Sequence, residues 1–164
     1  MKKIFLLIFI FLHFHSVSLA KNLKFKKIAS LDKPWGSSFI SNDEIIITEK
    51  SGKIKIVNIL NGNVAEIKHN LNFLEYGQGG LLDILYKDNF IYVSYTENRA
   101  NWKTSTSIAK AKLDRQNLLF KNIFQANPPI DSGYHFGSRL AIKDNYLFAS
   151  AGERGMGMIA QDAS

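Results

Sequence analysis

The sequence predicts an all-β protein, a β-propeller built from repeated four-stranded blades. Three observations predict it. No window in residues 21–164 sustains the i, i+3, i+4, i+7 apolar spacing of a helix. Short β-rich runs recur instead, separated by Asn, Asp and Gly turns. The runs also resemble one another at a period near that of a propeller blade, ~40–50 residues.

The runs are Ser38–Ile40, Glu44–Glu49, Lys53–Asn58, Val64–Lys68, Leu81–Tyr86, Phe90–Thr96, Ser105–Leu113, Leu118–Gln125, Arg139–Ile142 and Tyr146–Ser150. Lys53-Ile54-Lys55-Ile56 alternates polar and apolar, the period of a half-buried strand. Ile45-Ile46-Ile47 and Phe90–Val93 are continuous apolar runs, expected of strands covered on both faces. Asn42-Asp43, Ser51-Gly52, Asn61-Gly62, Lys87-Asp88-Asn89 and Lys143-Asp144-Asn145 supply turns, because Asn, Asp and Gly tolerate positive φ.

Self-comparison gives the organisation. Lys87–Glu97 lines up with Lys143–Glu153, and Glu44–Glu49 reads as a third, more divergent copy ending on Glu. Gly36, Gly80 and Gly137 precede the first strand of each unit. Unit one covers about 36–69, unit two about 79–125, and unit three starts near 136. A propeller closes with roughly four to eight blades, and this chain holds about two and a half. The expectation is therefore an incomplete propeller, either truncated or completed by another protomer, and inactive on its own.

Composition narrows the function classes. The chain has 164 residues, and its 46% apolar content supports a packed core. It has no Cys, which excludes disulfides, thiolate zinc sites and Cys nucleophiles. Residues 1–20 read as a signal peptide: Lys2-Lys3, an apolar run from Ile4 to Leu12, then Ser18-Leu19-Ala20 as a small-residue cleavage site. The run is about half the ~20 residues a spanning helix needs, so cleavage before Lys21 is expected, with no membrane span afterwards. The mature protein, 21–164, is expected to be periplasmic or secreted, as the N-terminal part of a propeller domain. Removing Lys2 and Lys3 lowers the formal charge from +7 to +5. Much of the remainder sits at Lys21, Lys24, Lys26 and Lys27, a solvated tail. No basic stripe interleaved with aromatics follows, so no nucleic-acid partner is expected.

Candidate chemistry gathers at the unit starts. Gly77-Gln78-Gly79-Gly80 could let backbone approach a flat ligand, with Gln78 bonding its oxygens, although a tight turn before a strand explains the glycines equally well. His135 lies between Gly133 and Gly137, just before a strand. If Arg139–Ile142 and Tyr146–Ser150 pair as a hairpin, Glu153 returns to the same end and can orient the His135 ring. No Ser or Cys nucleophile context accompanies them, which favours proton abstraction over acyl transfer.

At these residues the chain resembles the soluble pyrroloquinoline-quinone (PQQ) dependent aldose sugar dehydrogenases of the glucose/sorbosone dehydrogenase family. The matching stretches are Leu31–Gly36, Ile47–Lys50, Gly77–Asp83, His135–Leu140, Gly152–Gly155 and Ala160–Asp162. The resemblance implies a six-bladed propeller that oxidises the C1 hydroxyl of aldose sugars by hydride transfer to the quinone. It implies His135 as base, Glu153 as its acidic partner and Gln78 as a PQQ contact. Arg139 is read as structural, bridging blade loops. An aldose substrate and an external electron acceptor are the implied partners, and a homodimer is compatible with the reading. No Asp-x-Asp-x-Asp-Gly loop is present, so no metal ligand is assigned here and the family's Ca²⁺ ligands are expected outside this segment. Met156-Gly157-Met158-Ile159 departs from the family's polar stretch after the Glu-Arg-Gly turn.

The remaining candidates have plainer readings. Trp35 and Trp102 read as blade packing or channel-rim residues rather than stacking platforms. His69 reads as a surface residue. The alternative to an enzyme is a non-catalytic exported propeller that serves as a binding module.

Overall fold

The computed structural model describes residues 24–158. The predicted leader, its cleavage point and Ala160-Gln161-Asp162 lie outside the described residues. The described chain is all-β, with a 3₁₀ turn at Ala100–Trp102 between two of its strands.

Two antiparallel four-stranded units come first along the chain. The first joins β1 (Pro34–Phe39), β2 (Glu44–Glu49), β3 (Lys53–Asn58) and β4 (Val64–His69) in chain order. The second joins β5 (Leu81–Lys87), β6 (Phe90–Asn98), β7 (Thr104–Lys112) and β9 (Lys121–Gln125). A hairpin of β10 (Gly137–Lys143) and β11 (Tyr146–Ala151) starts a third. The β5–β6 turn is a two-residue loop with φ of 50° at Asp88 and 65° at Asn89, the left-handed pair that primed hairpin turns need.

The expected strand Leu118–Gln125 is two strands. β8 (Asn117–Leu118) pairs parallel with the outer strand β4 of the first unit, while β9 pairs with β7 of the second. The chain changes partner at Leu119-Phe120, and Phe120 drops into the core. The Asn70 side chain mimics a strand there, accepting the Phe120 N–H at 2.8 Å and donating to its carbonyl at 3.1 Å.

The units repeat in detail. The first strand of each is bulged near its start, between Pro34 and Ser37, Leu81 and Ile84, and Gly137 and Leu140. A hydroxyl on the second strand receives the freed N–H each time. Gly36 donates to Thr48 Oγ1 at 2.9 Å, Asp83 to Ser94 Oγ at 3.0 Å, and Arg139 to Ser150 Oγ at 3.0 Å. Thr48 and Ser94 then donate onward to the next unit, to the carbonyls of Leu82 and Ser138. This register corrects the alignment on terminal Glu residues. Glu49 stands opposite Pro34, as Tyr95 stands opposite Leu81 and Ala151 opposite Gly137. Glu97 and Glu153 are therefore equivalent, whereas Glu49 sits two positions earlier, because β2 turns straight into β3 while β6 runs on to Asn98.

The core lies between the first two units. Ile46, Ile54, Ile56 and Ile67 from the first pack on Leu81, Ile84, Ile91, Val93 and Tyr95 from the second. Each such side chain contributes about 1.5–3 kcal/mol on burial. The inner strands β1 and β5 nearly touch. A Cβ on Gly36 would lie 2.7 Å from Asp83 Cα and Ile84 N, so only glycine fits between the two backbones. Asp83 pins the third unit, accepting the Leu140 N–H at 2.8 Å and an Arg139 guanidinium N–H at 3.2 Å. Arg139 thus bridges units, as its sequence reading expects.

Candidate active site

Three loops at the starting end of the inner strands converge on His135. They are the 74–80 segment before β5, the 130–136 segment before β10, and the 152–155 turn after β11. The hairpin brings the last two together, because the residue before β10 and the residue after β11 share one end of the antiparallel pair.

Glu153 Oε1 hydrogen-bonds His135 Nδ1. An ionised carboxylate only accepts, so the proton of the neutral ring sits on Nδ1 and Nε2 carries the free lone pair. The His135 side chain is 51% exposed, which leaves that nitrogen open to a ligand. The hydrogen bond from His135, above all, holds the Glu153 carboxyl below its ordinary value. The Gly155 N–H also donates to Glu153 Oε1, at 3.2 Å. The acid is therefore kept charged and aimed at the imidazole.

Gln78 reaches the same residue from the other side. Its Oε1 accepts the His135 backbone N–H at 2.9 Å. The Gln78 backbone N–H donates to the Gly133 carbonyl at 2.7 Å. The side-chain amide orientation follows from the His135 bond, because a backbone N–H needs an acceptor. The Gln78 NH₂ group has no hydrogen-bond partner among the described residues and lies exposed. The glycine before it serves loop packing: Gly77 has φ of +58°, and a Cβ there would collide with the Gly133 carbonyl. That close approach is between two protein loops, not between backbone and a flat ligand.

Sequence reasoning gave Arg154 no role of its own. It is 7% exposed and threads between the loops. Its guanidinium donates to the carbonyls of Tyr134 at 3.0 Å and Thr104 at 3.2 Å, to Thr104 Oγ1 at 2.6 Å, and to the Ser132 carbonyl. The guanidinium also stacks 3.8 Å over the Phe136 ring. Burial pushes its pKa below the ordinary value, yet a guanidinium stays protonated in proteins. No carboxylate pairs with it among the described residues. Arg154 thus grips both neighbours of His135, a role that only the folded loops reveal.

His69 proves structural rather than a surface residue. It is half-buried, with Nδ1 accepting the Leu71 N–H at 3.2 Å and Nε2 on the Gly52 carbonyl at 2.7 Å. Trp102 is not packed between strands: it is 79% exposed. No group of three or more His, Asp or Glu side chains is arranged to hold a metal among the described residues. No helix among them is long and apolar enough to cross a membrane.

The fold is thus one of repeated antiparallel units with an exposed His–Glu pair at the loop end of the third. The family model described as Glucose / Sorbosone dehydrogenase matches residues 31–164, and the chain belongs to that family. The chain is 31% identical over 142 residues to the aldose sugar dehydrogenase YliI of Escherichia coli strain K12, covering 80% of this chain and 38% of that protein. A crystal structure of a glucose dehydrogenase superposes with a TM-score of 0.74 at 29% identity, over 80% of this chain and 41% of the other. The PQQ-bound form of an aldose sugar dehydrogenase from Streptomyces coelicolor shares the fold, with a TM-score of 0.69 at 22% identity, over 84% of this chain and 43% of the other. The chain thus spans about four-tenths of the length of the relatives it matches.

Proposed function

We propose that this chain forms the base-bearing part of a PQQ-dependent aldose dehydrogenase, exported through its N-terminal leader and folded within a six-bladed propeller. The reaction is oxidation of the sugar C1 hydroxyl to the lactone. One observation carries the reading: Glu153 holds Nδ1 of His135 and leaves Nε2 free and exposed.

The two groups are chemically complementary to the reactants: Gln78 offers an unpaired amide NH₂ as a donor for a quinone oxygen, and His135 an imidazole lone pair as an acceptor for a hydroxyl proton, on neighbouring loops. Gln78 would hold a quinone or carboxylate oxygen of the cofactor. PQQ, when bound, supplies the acceptor for the hydride leaving C1. His135 Nε2 takes the hydroxyl proton as that hydride departs. Glu153 stabilises the imidazolium so formed and keeps the ring in one orientation, without itself taking the proton. The proposed Ca²⁺ ligands and the acceptor that reoxidises the cofactor lie outside the described residues.

The test is His135→Ala in the complete enzyme of which this chain is proposed to be part, supplied with PQQ and Ca²⁺. Aldose-dependent dye reduction is expected to vanish while PQQ uptake, followed by its absorbance, persists. Turnover equal to wild type would overturn the assignment.

A further inference from the structure

In the loop Gly77-Gln78-Gly79-Gly80 only Gln78 has a side chain, so other segments must hold it in shape. Lys50 reaches it from the first unit, and its Nζ donates to the Gly77 carbonyl. That carbonyl and the Gln78 N–H belong to one peptide unit, and the N–H donates to the Gly133 carbonyl at 2.7 Å. The peptide is therefore gripped at both ends, by a cation on its oxygen and by an acceptor on its nitrogen. The glycine before it, at φ of +58°, would tolerate the peptide plane in other orientations. A flip would turn the Gln78 N–H away from Gly133. It would also carry the Gln78 side chain off the His135 N–H, which its Oε1 accepts at 2.9 Å.

Lys50 is itself firmly placed. Thr48 and Glu49, the last residues of β2, are fully buried. Thr48 is tied to Gly36 and Leu82, and Glu49 accepts the Asp32 N–H and the Lys55 ammonium, each at 2.7 Å. The Lys50 N–H donates to the Lys33 carbonyl at 3.0 Å, and its carbonyl accepts the Leu81 N–H at 3.2 Å. Its stem lies against the loop, since a Cβ on Gly80 would stand 2.9 Å from Lys50 Cγ. Glu49 is already paired with Lys55, and no carboxylate pairs with Lys50 among the described residues. The ammonium is thus committed to the Gly77 carbonyl. A hydrogen bond with one ionised partner is roughly twice as strong as a neutral one.

We infer that Lys50 is a positioning residue for Gln78: its ammonium fixes the Gly77–Gln78 peptide plane and so sets where the Gln78 amide meets a ligand. The identity of that ligand as PQQ rests on the function proposed above, whereas the peptide clamp does not. The test compares Lys50→Met, which keeps the stem and removes the ammonium, with Lys50→Arg, which keeps a charged donor. In the complete enzyme without cofactor, hydrogen exchange at the Gln78 and His135 backbone amides is expected to quicken about tenfold in Lys50→Met, roughly one hydrogen bond. The denaturant midpoint should stay near wild type, and Lys50→Arg should restore most of the protection. PQQ affinity, titrated by absorbance, is expected to fall about tenfold in Lys50→Met but not to fall further when the substitution is added to Gln78→Glu, because both act on the same amide. Unchanged exchange at both amides, or losses of affinity that add in the double variant, would overturn the inference. Faster exchange throughout the first two units with a lowered midpoint would also overturn it, by making Lys50 a general support of the fold. Wild-type enzyme that takes up no PQQ, with the two amides still loosened in Lys50→Met, would keep the clamp and lose only the proposed function.

Discussion

The side-chain oxygen of Gln78 accepts the backbone N–H of His135 at 2.9 Å, joining residues 57 positions apart. That single bond divides the two ends of the amide. The oxygen holds the backbone of the proposed base, and the NH₂ has no partner among the described residues. Gln78→Glu keeps an acceptor and removes the donor, whereas Gln78→Ala removes both. PQQ affinity is expected to fall about tenfold or more in each variant, roughly one hydrogen bond. Only Gln78→Ala should also slow turnover at saturating cofactor. Titration of cofactor absorbance with parallel rate measurements separates these effects, and wild-type affinity in Gln78→Glu would remove Gln78 from the cofactor site.

The hydroxyl relay between units makes a stability prediction. Ser94 is fully buried and serves both the Asp83 N–H and the Ser138 carbonyl. Thr48, also fully buried, serves Gly36 and Leu82 in the same way. Ser94→Ala and Thr48→Val each strand two buried backbone groups and are expected to cost about 1–3 kcal/mol. Ser150, which is exposed, holds the Arg139 N–H alone among the described residues. Ser150→Ala should cost clearly less. Denaturant midpoints measure the order, and equal losses at all three positions would reject a relay that acts through burial.

Much of this fold is legible in the chain because its strands carry local signals. Alternation in Lys53–Asn58 and the Ser51-Gly52 turn place β2 and β3 without tertiary information. The hairpin that unites His135 with Glu153 is likewise written in Lys143-Asp144-Asn145 between two apolar runs. The β8–β9 break is not, because an apolar run looks the same whether its strand keeps one partner or takes two. Glu49 misled for a related reason. Its chemical identity matches Glu97, but strand length, set by the following turn, displaces it by two positions. The Arg154 clamp escapes sequence reading because all its acceptors are backbone carbonyls or Thr104, which any sequence could supply.

The Glu153 pair predicts a pH dependence. Its carboxyl titrates below the ordinary 4.5 in the folded protein, chiefly through the His135 hydrogen bond. An acid with a depressed folded pKa stabilises the fold fully above its unfolded pKa. That contribution is lost as pH falls through the folded value. The difference in Tm between wild type and Glu153→Gln is therefore expected to hold from neutral pH down to the ordinary Glu range and to disappear below it. Thermal melts across that range are the check. A difference that stays unchanged right through the acid range would show that the Glu153 charge contributes nothing to the fold.

Arg154 makes the sharpest claim, because one side chain serves both fold and site. Four of its N–H donors go to Tyr134, Thr104 and Ser132, and its plane covers Phe136, so it fixes the backbone on either side of His135. Arg154→Met would remove four charge-assisted hydrogen bonds and leave the Tyr134 carbonyl without its donor, an expected cost of about 1–3 kcal/mol. Arg154→Lys retains the charge and can recover part of that loss, but an ammonium cannot reproduce the planar fork. The lysine variant should therefore fold with a midpoint between those of Arg154→Met and wild type and still turn over slowly, with kcat reduced and KM little changed, because the imidazole is less well placed relative to Glu153. The His135 ring signals in NMR spectra should broaden in the same variant. If Arg154→Lys matches wild type in both kcat and ring order, the guanidinium stabilises the loops without positioning the base.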